Sequence, residues 1–124
     1  MSIESFRLSE KEKDQLIKLK RVTGLKNWNV LCRWAFCLSI REITAPALVQ
    51  IVSDSTVEMT WKTFGSPYPD IYTALLRQRL LKDGIPLTSE NLQAQFRLHL
   101  NRGLNYLTSD TKLRSVRALI DFTQ

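Results

Sequence analysis

The chain has 124 residues, about one domain's worth, and carries 18 Lys and Arg against 12 Asp and Glu, a formal net charge of +6. This length suffices for a core without disulfides or metals. A hydrophobic content of 44% with four Gly and four Pro excludes disordered, collagen-like and low-complexity classes. The positive excess points to a polyanionic partner and leaves the fold open.

Residues 1–41 hold nine basic side chains and four acids, whereas residues 42–124 hold nine and eight, so the excess belongs to the first third. Ile3 to Leu8 alternates apolar and polar residues, as a short half-buried strand or an extended arm would. Ser9 opens S-E-K-E, a capping box that predicts a helix from there to Thr23, closed by Gly24. Leu16, Leu19 and Val22 form its apolar stripe, and the remaining arc displays Lys11, Lys13, Lys18, Lys20 and Arg21, diluted by Glu10 and Asp14.

Asn27 can cap a second helix, Trp28 to about Arg41, whose large apolar groups cover nearly its whole circumference. Such a helix needs cover on every side, which predicts a subunit interface through Trp28, Leu31, Trp34, Phe36 and Leu38. Thr44-Ala45-Pro46 interrupts it. Leu48–Val52 and Val57–Phe64 then read as a small β-hairpin near residues 48–64. A helix over Asp70–Asp83 follows, with Ile71, Leu75, Leu76 and Leu80 as its stripe. Another starts at Thr88 or Ser89, with Leu92, Phe96 and Leu100 inward, and can continue through Gly103 to Leu107. Ser109-Asp110 opens a last helix with Leu113, Val116, Leu119 and Ile120. The expected fold is one mainly α, compact helical domain over residues 1–124 with a short N-terminal extended strand.

Cys32 and Cys37 lie five apart on one helix, too divergent to bridge, and read as buried free thiols of a reducing compartment. No signal peptide precedes the fold, and the longest apolar run, Trp28 to Ile40, holds Arg33 and is too short for a membrane span. The chain therefore reads as soluble and cytoplasmic, with no membrane partner. It has one His, His99, and neither a phosphate-binding glycine loop nor a zinc or nucleophile motif. His99 reads as a structural or surface histidine, and no catalytic residue, metal or cofactor is expected.

The basic first helix is the strongest functional feature, because phosphate contacts from Lys and Arg supply most sequence-independent DNA affinity. Lys11, Lys13, Lys18, Lys20, Arg21 and Lys26 are the expected phosphate contacts. Arg33, among apolar neighbours, is expected to pair internally. Arg77, Arg79 and Lys82, like Lys112, Arg114 and Arg117, read as solvated faces or subunit contacts. Trp28, Trp34 and Phe36 favour packing over base stacking. Trp61 could stand exposed on a strand beside Lys62, although Val57 and Met59 on the same face favour packing. A short strand before two helices also resembles the ribbon–helix–helix repressors, in which Ser5 and Arg7 would face bases.

The stretches F-R-L-S at Phe6–Ser9, T-G-L at Thr23–Leu25 and W-N-V-L-C-R-W-A-F at Trp28–Phe36 resemble the DndE family of DNA phosphorothioation proteins. With the size and the basic helix, the resemblance covers essentially the whole chain. It implies a small, helical, non-enzymatic DNA-binding component of the bacterial system that replaces a non-bridging phosphate oxygen by sulfur. It implies a homo-oligomer, a tetramer being favoured, that works with a cysteine desulfurase, a reductase-like iron–sulfur protein and an ATPase. Double-stranded DNA, intact or nicked, is the expected ligand. An adaptor docking on the other components, or a transcriptional repressor, are the alternatives.

Overall fold

The alternation at the N-terminus does produce a strand, and its partner lies more than fifty residues along the chain. In the computed structural model, which describes residues 3–109, β1 (Ser5–Arg7) pairs antiparallel with β2 (Glu58–Thr60), setting Phe6 opposite Met59. The amides of Leu8 and Trp61 extend the pairing to the carbonyls of Val57 and Glu4 at 3.0 and 2.8 Å.

The hairpin expected over residues 48–64 is therefore corrected. Residues 47–54 form no regular element, β2 lasts three residues, and Trp61–Gly65 is a short helix, α3, capped by the Thr60 hydroxyl. A period of two signals a strand without naming its partner. Pairing with β1 puts Phe6 and Met59 together in the core, whereas Leu48 and Val52 remain exposed. Trp61, now helical, is buried, and its indole donates to the Thr73 hydroxyl at 2.8 Å, so the exposed strand position does not exist.

The capping box forms as its spacing predicts. The Glu12 amide donates to Ser9 Oγ at 3.0 Å and the Ser9 amide to Glu12 Oε1 at 2.9 Å, starting α1 (Glu10–Thr23). Gly24, at φ 77°, stops it in the left-handed conformation that favours glycine. The next helix, α2 (Trp28–Ile40), begins after Asn27, whose side chain makes no capping bond. In α4 (Pro69–Lys82), Leu76 and Leu80 face inward as expected, but Ile71 points to solvent.

The last described helix, α5 (Ser89–Ser109), runs unbroken through Gly103. Every residue from Gln95 to Leu100 is buried, which makes α5 the central helix. Phe96 meets the rings of Phe6, Phe36 and Phe64 at centroid separations of 4.7, 5.4 and 5.1 Å. A Cβ on Gly103 would stand 1.8 Å from the Ala35 carbonyl oxygen, so glycine is what lets α5 lie against α2. The fold is mainly α. Among the described residues no helix is long and apolar enough to cross a membrane. The helix expected after Ser109, with Lys112, Arg114 and Arg117, lies outside the described residues.

Candidate nucleic-acid interface

Helix α1 turns Glu12, Leu16, Leu19 and Thr23 into the protein. Its outward positions leave Lys11, Lys18, Lys20 and Arg21 exposed and Lys13 partly so; Lys26 is exposed in the connection to α2. None of these six forms an ion pair among the described residues. They do not share one face. Lys11 and Lys18 are two turns apart, as are Lys13 and Lys20, and at the helical 100° per residue the two rows stand about 160° apart. Glu10, Asp14, Ile17 and Arg21 occupy the ridge between them. The Lys11–Lys18 row borders α5, where Lys18 Nζ donates to the Thr108 carbonyl at 3.4 Å and Gln15 Nε2 to Asn105 Oδ1 at 2.8 Å.

Of the five expected interface residues, Leu31, Phe36 and Leu38 are buried within the chain's own core. The central helix α5 supplies the cover that α2 requires. Trp28 and Trp34 keep partial exposure. Arg33 pairs internally as expected, with Nη1 donating to the carbonyls of Phe64 and Ser66, both at 2.9 Å.

Arg79 is a second correction. Instead of lying on a solvated face it is 4% exposed. It donates to the carbonyls of Ile40, Glu42, Ile43 and Thr44 and pairs with Asp83 at 2.9 Å. From α5, Arg102 reaches the same turn, donating to Ser39 Oγ at 2.8 Å and to the Thr44 carbonyl at 2.9 Å. Both cations thus sit at the C-terminal end of α2, where free carbonyls and the helix dipole favour positive charge. Arg97 is the third internal arginine. It donates to the Arg7 carbonyl and Ser53 Oγ, and pairs with the fully buried Glu12.

These bonds also affect the ribbon reading of β1. Arg7 and Ser5 turn their side chains to Glu58 of the neighbouring strand, and Gln93 and Arg97 cover the Ser5 and Arg7 carbonyls. Both edges of β1 are engaged within the chain.

The thiols and the imidazole are poorly placed for acid–base chemistry. Cys32 is buried, and burial first, then the nearby Glu12 charge, pushes its thiol up to about 12. Cys37 is exposed, not buried as expected. His99 is fully buried; burial, then Arg102 and Arg79, lowers its pKa to about 4. Ser39 Oγ accepts from Arg102 and shares a 2.7 Å hydrogen bond with His99 Nδ1, while the buried His99 Nε2 has no partner among the described residues. Among the described residues no group of three or more His, Cys, Asp and Glu could hold a metal ion.

The sequence profile of the family described as DNA sulphur modification protein DndE matches residues 5–115. The chain belongs to the DndE family. No curated protein matches the sequence. The crystal structure of DndE from Escherichia coli B7A, involved in DNA phosphorothioation modification, is similar with a TM-score of 0.71 at 23% identity. That likeness covers 84% of this chain and 97% of the other. A crystal structure of a DndE mutant involved in DNA phosphorothioation gives a TM-score of 0.66 at 20% identity, covering 86% of this chain and 98% of that one. At these identities the structures establish a shared fold, and the profile establishes DndE membership and with it a place in DNA phosphorothioation.

Proposed function

We propose that this DndE-family chain is a non-enzymatic DNA-binding subunit of the phosphorothioation machinery, acting as a homo-oligomer, with a tetramer favoured. The observation that carries this reading is the set of cations on and just after α1 that reach solvent and form no ion pair among the described residues: Lys11, Lys13, Lys18, Lys20, Arg21 and Lys26. An assembly would repeat both lysine rows, and each row could follow a different stretch of phosphates without reading bases. The non-catalytic part of the reading rests on His99 and Cys32, each buried and uncharged at neutral pH. Replacing a backbone oxygen by sulfur would pass through an interrupted strand, which makes a nicked duplex the preferred form. The ATPase and the reductase-like component would be its protein partners.

Gel retardation of intact and nicked duplexes over a salt series tests this. The expected result is a steep loss of affinity with salt and tighter binding of the nicked form. Salt-insensitive binding would overturn the phosphate-contact reading, and equal affinities would remove the nick preference. Light scattering reads the subunit number, and a monomer would overturn the assembly.

A second reading, an adaptor that docks on another component, is favoured by residues 43–53. This uncharged segment exposes Ile43, Leu48, Val49 and Val52, and complete absence of duplex binding would select it.

A further inference from the structure

Val30 stands three and four residues before Arg33 and Trp34, and Cys37 four and three after them, so the four share one stripe of α2. With Tyr72 of α4 they line an open groove of about 290 Å³. The Tyr72 ring is held edge-on by Phe36 and Phe64, with centroids 6.4 and 5.5 Å away. Arg33 is anchored through Nη1 to two carbonyls, while its Nε and Nη2 make no hydrogen bond among the described residues. No acid lines the groove, so its one charge is positive and complements an anion.

Two aromatic side chains beside an anchored, half-used guanidinium match the two halves of a nucleotide. Aromatic faces stack on any base, and a guanidinium edge suits phosphate. We propose that this groove holds one unpaired nucleotide of a DNA strand, its base against Trp34 and Tyr72 and its phosphate on the free edge of Arg33. The assignment rests on the DNA-binding reading above and adds to it a site for a base outside the stack. A paired duplex would meet the lysine rows alone, whereas a strand with an extruded base would engage both surfaces.

The test compares a fully paired duplex with the same duplex carrying one bulged thymidine. The wild type is expected to favour the bulged form. Trp34→Leu should reduce affinity for that form by about five- to a hundred-fold, the range of single base–aromatic stacks. Its affinity for the paired duplex should stay unchanged, and Trp34→Tyr should restore most of the loss. Alkylating the exposed Cys37 of the wild type with a bulky maleimide should block the groove without any mutation, since Cys32 is buried. An unchanged ratio of bulged to paired affinity in both Trp34→Leu and the alkylated protein would overturn the site. A change of subunit number on Trp34→Leu, read by light scattering, would also overturn it, because the groove would then be a contact between copies. Failure of the wild type to bind either duplex would instead remove the DNA reading on which the site stands.

Discussion

Two sets of basic side chains among the described residues behave differently. The lysines of α1 stand on its outer flanks and form no ion pair among the described residues, while three arginines of α4 and α5 are drawn into the protein. Arg79 and Arg97 are 4% and 6% exposed, and Arg102 is half-buried. The chemistry of the side chains accounts for the division. A guanidinium carries five donors in a fixed plane and can satisfy several carbonyls at once, which an ammonium on a flexible stem does less well. Formal charge therefore misstates the surface. Glu12 counts against the positive excess of the first third, yet it is buried against Arg97 and its charge never reaches solvent.

The division is broken most severely at Arg97. Arg97→Met leaves Glu12 buried without its counter-ion and is expected to cost about 3–5 kcal/mol in urea unfolding. Changing both partners, in Arg97→Met with Glu12→Gln, should recover part of that loss, since no uncompensated charge remains. A cost for Arg97→Met of the order found at exposed sites, within about 0.5 kcal/mol, would place Arg97 with the surface lysines and end the comparison.

How much of this was legible in the sequence depends on which residues carry the signal. The capping box and Gly24 act over four residues, and their geometry follows from spacing alone. The internal role of Arg33 followed from its apolar neighbours. Arg79 and Arg97 gave no such warning: apart from Asp83 beside Arg79, their partners are backbone carbonyls, a hydroxyl and a carboxylate between 35 and 90 residues away. The same limit misplaced the partner of β2, expected at residues 48–52 and found in β1. It also exchanged the roles of two helices. Helix α2 reads as apolar all round, but α5, with Arg97 and His99 in its sequence, is the one buried on every side over Gln95–Leu100. The groove was only half legible: the stripe through Trp34 is visible in the spacing, whereas Tyr72 joins it from another helix.

A smaller effect comes from the histidine beside the internal arginines. The folded pKa of His99 is lowered from 6.5 to about 4, so between these values the unfolded chain binds a proton that the folded chain refuses. Its contribution to stability is complete above pH 6.5 and is lost as pH falls toward 4. His99→Gln should abolish that part of the pH dependence, so the difference in Tm between wild type and variant should shift steadily across this window. A constant difference would mean that burial, with Arg102 and Arg79 nearby, does not hold the imidazole neutral.

The smallest effect on stability is expected at the lysines, and there the comparison can be made sharpest. Each exposed lysine of α1 contacts solvent, so Lys11→Ala, Lys18→Ala and Lys20→Ala should each change unfolding free energy by less than about 0.5 kcal/mol. DNA binding is expected to respond instead. Because the rows lie on opposite flanks of α1, the pairs Lys11→Ala/Lys18→Ala and Lys13→Ala/Lys20→Ala can be scored separately. Each lost phosphate contact should lower the slope of log affinity against log salt by about one. A loss confined to the first pair would place the duplex along the edge that α1 shares with α5, near Gln15 and Asn105. Equal losses would require both flanks to meet phosphate, as an α1 lying between the two strands of a major groove, or several copies of the chain, would provide.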